Sequence, residues 1–156
     1  MSRSGAELAL LLLGAYRRLV DDVVAGLSAQ GYSDVRPVHD FAMRAIAAGA
    51  DSASELGRRM SVSKQAAAKT IAVLVERGYV DREADPEDAR RKRLEVTPLG
   101  FEVMRVGETL FDELRESFAR EIGASELAEL EAALRTMVGG SAVRIEEPGW
   151  VSQELD

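Results

Sequence analysis

Residues 52–97 read SASELGRRMSVSKQAAAKTIAVLVERGYVDREADPEDARRKRLEVT, and the rest of the chain is organised around them. Ser52 and Glu55 stand in the S-x-x-E spacing of a capping box, where each side chain satisfies a backbone N–H at a helix start. Leu56 and Met60 follow one turn apart, on a face that can be buried. Gly57 between them costs about 1 kcal/mol against Ala and is tolerable where another helix must approach closely. Ser61-Val62-Ser63 then supplies a turn, with Ser63 as N-cap of a second helix.

That second helix divides by face. Ala67, Ile71, Leu74 and Val75 recur at three- and four-residue steps and mark the core side. Gln65, Lys69, Ala72 and Glu76 fall opposite, with Lys64 at the N-terminal end, and Gly78 closes the helix. Two short helices joined through so tight a turn make a helix-turn-helix, whose second helix can enter the DNA major groove. A hairpin comes next. Tyr79 to Ala84 forms one strand, Arg93 to Val96 its return, and Asp85-Pro86-Glu87-Asp88 is turn chemistry between them. Arg90, Arg91, Lys92 and Arg93 place four consecutive cations on that loop.

The run GYVDREADPEDARRKRLEVTPLG resembles the wing signature of MarR-type winged helix-turn-helix repressors, which runs G-Y-V-x-R, D-P-x-D-x-R and then L-x-L-T-x-x-G. The resemblance is specific over about residues 52–100 and extends in layout to nearly the whole chain. It implies a mainly α fold with a small β wing, the winged helix-turn-helix being flanked by N- and C-terminal dimerisation helices. It also implies a wing-tip arginine, here Arg90, that inserts into the minor groove, and a preceding acid, Asp88, that holds the loop. Arg82 matches the signature as well, as a structural ion-pair partner. Family members often bind small phenolic or anionic compounds between the dimer helices and the DNA-binding lobe. Tyr16, His39 and Met43 are the candidates here for such a cleft, and each also has a plain reading as core.

Composition bounds the alternatives. A chain of 156 residues makes one domain with a real core. It has no cysteine, hence no disulfide or thiolate metal site, and its single histidine, His39, cannot form a multi-imidazole site. No apolar run is long enough to span a membrane, and Leu8–Leu13 lacks a cleavage site behind it, which places the protein in the cytoplasm. The net charge of −7 argues, alone, against a nucleic-acid partner. Its distribution argues the other way: residues 57–93 hold ten Lys/Arg and six Asp/Glu, a balance of +4, which leaves 10 − 21 = −11 elsewhere. An acidic body with one basic module suits a protein that presents a single face to phosphate.

Around the central stretch the pattern is helical. Residues 5–30 carry a stripe of Leu8, Leu12, Tyr16, Leu19, Val20, Val23 and Leu27, widened by Leu10, Leu11 and Leu13 until the first turns are apolar almost all round. Pro37 starts a helix through Ala48, with Val38, Phe41, Ala42, Ala45 and Ile46 inward. Thr97-Pro98 starts a long helix to about Glu121, its apolar set being Phe101, Met104, Leu110, Phe111, Leu114 and Phe118. Ser125 caps a last helix with Leu127, Leu130, Leu134, Met137 and Val138 on its stripe. Residues 37–97 read as a DNA-binding lobe, 5–30 and 98–139 as dimerisation helices, and 140–156, with Trp150, as an acidic tail.

In a two-fold homodimer the two recognition helices would lie about 34–36 Å apart on one face of double-stranded DNA, over a roughly palindromic operator. Gln65 suits adenine and Lys69 guanine or phosphate, while Ser61, Ser63 and Lys64 stand near the helix N-terminus where phosphate binds. Ala66 to Ala68 leave base readout sparse and shift weight to DNA shape and the wing, where Arg90, Arg91, Lys92 and Arg93 meet the backbone. The chain shows no paired-carboxylate motif, triad, phosphate loop or metal spacing, which excludes an enzyme and implies no cofactor. A regulator released by a small aromatic or anionic effector is the leading expectation. The alternative is a winged-helix protein-interaction module without DNA binding.

Overall fold

The computed structural model describes residues 4–90 and 92–139. Along them run helices α1 (Gly5–Ala29), α2 (Pro37–Ala47), α3 (Ala53–Met60) and α4 (Lys64–Glu76), the hairpin β1 (Val80–Ala84) and β2 (Lys92–Val96), then α5 (Pro98–Ile122) and α6 (Ala124–Val138). The strands pair antiparallel, Val80 opposite Val96 and Ala84 opposite Lys92. The architecture is therefore mainly α with one small β hairpin, as the sequence implies. Arg91 and the stretch from Gly140 to Asp156, with Trp150, lie outside the described residues.

Local chemistry sets the helix-turn-helix. Ser52 Oγ accepts the Glu55 backbone N–H at 3.2 Å, which starts α3. The reciprocal half of the expected capping box is missing. The Glu55 carboxylate turns instead to Arg58, at 2.6 Å, and Arg59, at 2.8 Å, because two guanidinium groups one turn away outcompete a single amide. Arg59 also donates to the Ala48 carbonyl at 3.1 Å, tying α3 to the end of α2. Ser61 then takes a left-handed conformation, φ +55°, and reverses the chain. A Cβ on Gly57 would lie 2.9 Å from the Val62 carbonyl oxygen, so the close approach is made by the turn's own backbone rather than by another helix. Ser63 Oγ accepts the Ala66 N–H at 3.0 Å and starts α4.

The core lies where α2 meets α3, α4, β2 and α5. Met43, Leu56, Met60, Ile71, Leu74 and Val80 are almost wholly enclosed there. Each inward residue expected on α4 is buried, except Val75, which is half-buried. Outside this core the expectations need correction. On α5 it is Gly100, Val103 and Gly107 that are buried, while Phe101 and Phe111 are 49% and 42% exposed. On α6 only Leu127 is buried, and Leu130, Met137 and Val138 lie open. Ser125 does not cap α6. The cap is Gly123, whose φ of +104° turns the chain sharply out of α5, and Ser125 bonds Glu126 within the first turn.

The joint between wing and α5 is closely packed. Thr97 Oγ1 accepts the Gly100 N–H at 3.1 Å, capping α5, and donates to the Gly78 carbonyl at 2.6 Å. The Thr97 N–H in turn donates to the Tyr79 carbonyl at 3.0 Å. Gly100 is required here, since an added Cβ would overlap the Tyr79 carbonyl oxygen and crowd Val96. Backbone cannot swing aside as a side chain can. Gly100→Ala should therefore lower stability by about 3 kcal/mol, the upper end of overpacking, read as a reduced urea midpoint. An unchanged midpoint would remove this account of the joint.

Candidate nucleic-acid interface

The outward face of α4 carries Gln65, Lys69, Ala72 and Glu76, all exposed, and Lys64 is exposed at its first turn. Lys64 and Lys69 make no salt bridge with the described residues, so their charges stay available to solvent or phosphate. Ser61 and Ser63 are exposed at the same end, although Ser63 Oγ is already engaged by the Ala66 amide. Ala66 is exposed and Ala68 half-buried, so two of the three alanines flatten this end of the helix, and Ala67 belongs to the core. Polar groups, helix N-terminus and cations thus share one surface.

The wing tip is shaped by two aspartates. Asp85 Oδ1 accepts the Glu87 N–H at 2.9 Å and Asp88 Oδ1 accepts the Arg90 N–H at 3.0 Å. Each is a carboxylate closing a turn two residues on, the local bond that Asp makes most readily. Asp88 therefore orients the backbone that bears Arg90, which is exposed. Lys92 and Arg93 begin β2, also exposed. Arg82 is exposed on β1, on the face it shares with its partner Leu94, and makes no ion pair among the described residues, in contrast to the structural pairing expected of it.

A cavity of about 250 Å³ lies among α1, α2 and α5. Leu19, Val20, Val23 and Leu27 of α1 wall it, with Phe41 of α2 and Val103 and Phe111 of α5. Val35 and Arg36, from the α1–α2 connection, and Pro37 at the start of α2 also line it. Its polar groups are Arg36, Asp40, Arg44 and Glu108; Asp40 and Arg44 form an ion pair at 2.7 Å, one helical turn apart. Burial raises the Asp40 carboxyl above the usual carboxylate range, against the opposing hydrogen bond from Arg44. Of the three residues expected at such a cleft only Tyr16 lines it. Met43 is fully enclosed in the core and His39 is buried beside it, because both project from α2 toward the helix-turn-helix rather than toward α1. Asp40 and Arg44 belong to no sequence motif, and their i, i+4 spacing is the one signal that could have marked them.

His39 instead fastens the α1–α2 connection. Its Nδ1 accepts the Arg36 N–H at 3.0 Å, which requires that nitrogen unprotonated. Burial, followed by the charges of Arg77 and Arg36, lowers its pKa from 6.5 to about 4.

A helix-turn-helix with one polar face outward, followed at once by a basic hairpin, defines a winged helix-turn-helix. Residues 41–91 match the model of the MarR family. The fold is shared with the reduced form of MarR from E. coli, at a TM-score of 0.69 and 22% identity over 85% of this chain and 96% of that one. A mutant MarR from E. coli complexed with operator DNA gives 0.63 and 22% over 85% and 94%. FabT from Streptococcus pneumoniae in complex with DNA gives 0.65 and 16% over 86% and 94%. No curated protein sequence matches the chain.

Because the fold favours neutral His39, the stability it confers is complete above pH 6.5 and is lost as pH falls from there toward about 4. Over that window the wild type should lose roughly 2 kcal/mol that His39→Gln does not lose, read by urea unfolding of both proteins at each pH. The comparison cancels the carboxylates common to both. Parallel pH profiles would reject the assignment.

Proposed function

We propose that this chain is a cytoplasmic, homodimeric DNA-binding transcriptional regulator, a repressor of a palindromic operator released by a small effector, and not an enzyme. The observation that carries the reading is the exposed polar face of α4, with free cations near its N-terminus, followed at once in the chain by an exposed basic wing. In this reading Gln65 and Lys69 address base edges, Ser61, Ser63 and Lys64 address phosphate, and Arg90 enters the minor groove with Arg91, Lys92 and Arg93 along the backbone. Asp88 sets the loop that presents Arg90. MarR from E. coli with operator DNA and FabT with DNA, which share the fold, support the assignment.

The dimer reading is supported by apolar surface that one copy leaves open. Leu8, Leu10 and Leu11 on α1, Ile122 on α5, and Leu130 and Met137 on α6 are all 44% exposed or more. A second copy related by a two-fold axis would cover them, residues 5–30 and 98–139 supplying the interface and 37–97 the DNA-binding lobe. The cavity between α1, α2 and α5 is the effector site in this reading. Its apolar walls suit an aromatic ring, and its Asp40–Arg44 end orients a polar substituent.

The test is binding to a mixed pool of duplex DNA, followed by fluorescence anisotropy at several salt concentrations. A selected fraction should bind with log affinity falling linearly in log salt, about 0.9 per phosphate contacted. Arg90→Glu with Arg93→Glu should weaken binding by at least about tenfold near 0.1 M salt, while Gln65→Ala should relax sequence preference by about 1–3 kcal/mol at its base. Binding no tighter than to random duplex, by a confirmed dimer, would overturn the reading in favour of a protein-interaction module.

A further inference from the structure

The connection between α1 and α2 touches the cavity and α4 at once. Val35 is buried and, with Arg36 and Pro37, lines the cavity. One residue earlier, Asp34 holds a left-handed conformation, φ +59°. Arg77 Nη1 donates to the Asp34 carbonyl at 2.7 Å across 43 residues of sequence. Arg77 is the C-cap of α4, the helix that carries Gln65 and Lys69. A short, charge-assisted hydrogen bond therefore runs from the connection beside the cavity to the end of the recognition helix.

We propose that Arg77 is a positioning residue that couples occupancy of the cavity to the setting of α4, through its hydrogen bond to the Asp34 carbonyl. Its regulatory meaning rests on the DNA-binding reading above; the mechanical link itself does not. A molecule entering the cavity pushes on Val35, and a non-glycine residue held at positive φ leaves the adjoining peptide few alternative settings. The displaced carbonyl then either drags the guanidinium or releases it. Both outcomes change α4 at the end opposite its N-cap, altering the angle at which its polar face meets a groove. The coupling needs two arrangements of one packed element, which a single strong bond at a helix terminus provides.

Gly107 allows a test without a known ligand. It is buried on α5, lines the cavity, and an added Cβ there would meet nothing within 4 Å. Gly107→Leu therefore fills the cavity from inside, as an occupant would. Hydrogen exchange of the α4 amides would be measured in the full-length wild type, Gly107→Leu, Arg77→Met and the double variant. Filling the cavity should change exchange near the C-terminal end of α4 by at least about threefold when Arg77 is present. In the Arg77→Met background, which lacks the donor, the same filling should leave exchange nearly unchanged. Arg77→Lys, which keeps a donor, should restore part of the response. Should Arg77→Met fail to fold, Arg77→Gln, with an amide too short to reach, takes its place. An equal change in both backgrounds, or no change at α4 when the cavity is filled, overturns the proposal. Anisotropy on the selected duplex reads the same four proteins. If none binds DNA while the exchange coupling persists, the link stands and the DNA-binding reading falls.

Discussion

Ala67, Ile71 and Leu74 leave almost no surface to solvent, and the seam they form with Leu56, Met60 and Val80 decides which way α4 faces. An α-helix repeats every 3.6 residues, so locking one side of it dictates the bearing of the other. Gln65 and Lys69 are outward because those three residues cannot be. The wing depends on the same seam. Val80 begins β1 inside it, and the strand leaves α4 through Gly78, φ +75°, with no room to choose another direction. Burial of a few methyl and sulfur-bearing side chains thereby orients groups that take no part in the core.

What is legible in the sequence is what short-range chemistry decides. The caps at Ser63 and Thr97, the division of α4 into two faces and the turn at Asp85–Asp88 each depend on residues within four positions of one another. The losses come from longer range. Phe101 and Phe111 look like the natural anchors of α5, yet Val103 faces the core, since α1 and β2 crowd the helix on that side. His39 and Met43 look equally suited to a cleft because α2 has two apolar flanks, and periodicity cannot say which flank meets α1. The Arg77 contact with Asp34 has no local signature, as both residues read as ordinary loop or cap chemistry. Glu55 shows the reverse case, a local motif overruled by stronger local partners.

The distribution of charge gains meaning from the geometry. The whole chain is acidic, but the aspartates nearest the wing tip bond backbone amides, at Glu87 and Arg90, and among the described residues form no ion pair with neighbouring cations. Their hydrogen bonds shape the loop, while the exposed Arg90, Lys92 and Arg93 keep their charges in solvent. Elsewhere the pattern inverts: Arg58, Arg59, Arg44 and Arg115 are each paired with a carboxylate. The more exposed of these pairs, such as Arg115 with Glu131, contribute little to stability. Together the four do neutralise cations away from the outward face of α4 and the wing, so that unpaired positive charge is left on those two elements.

Thr97 and Tyr79 clamp the two ends of the hairpin to each other and to the start of α5, so the frame of the lobe closes below the tip. Beyond the buried Leu94 the hairpin hangs as a cantilever. Adding a residue to each strand would carry the tip outward by about 3.3 Å per pair and invert its faces, while adding two to each would preserve them. The loop can thus lengthen or change its cations over generations without passing the disturbance to the helices. Reach and chemistry of the arm are free to diverge between descendants of one ancestor, and the chassis beneath them is inherited intact.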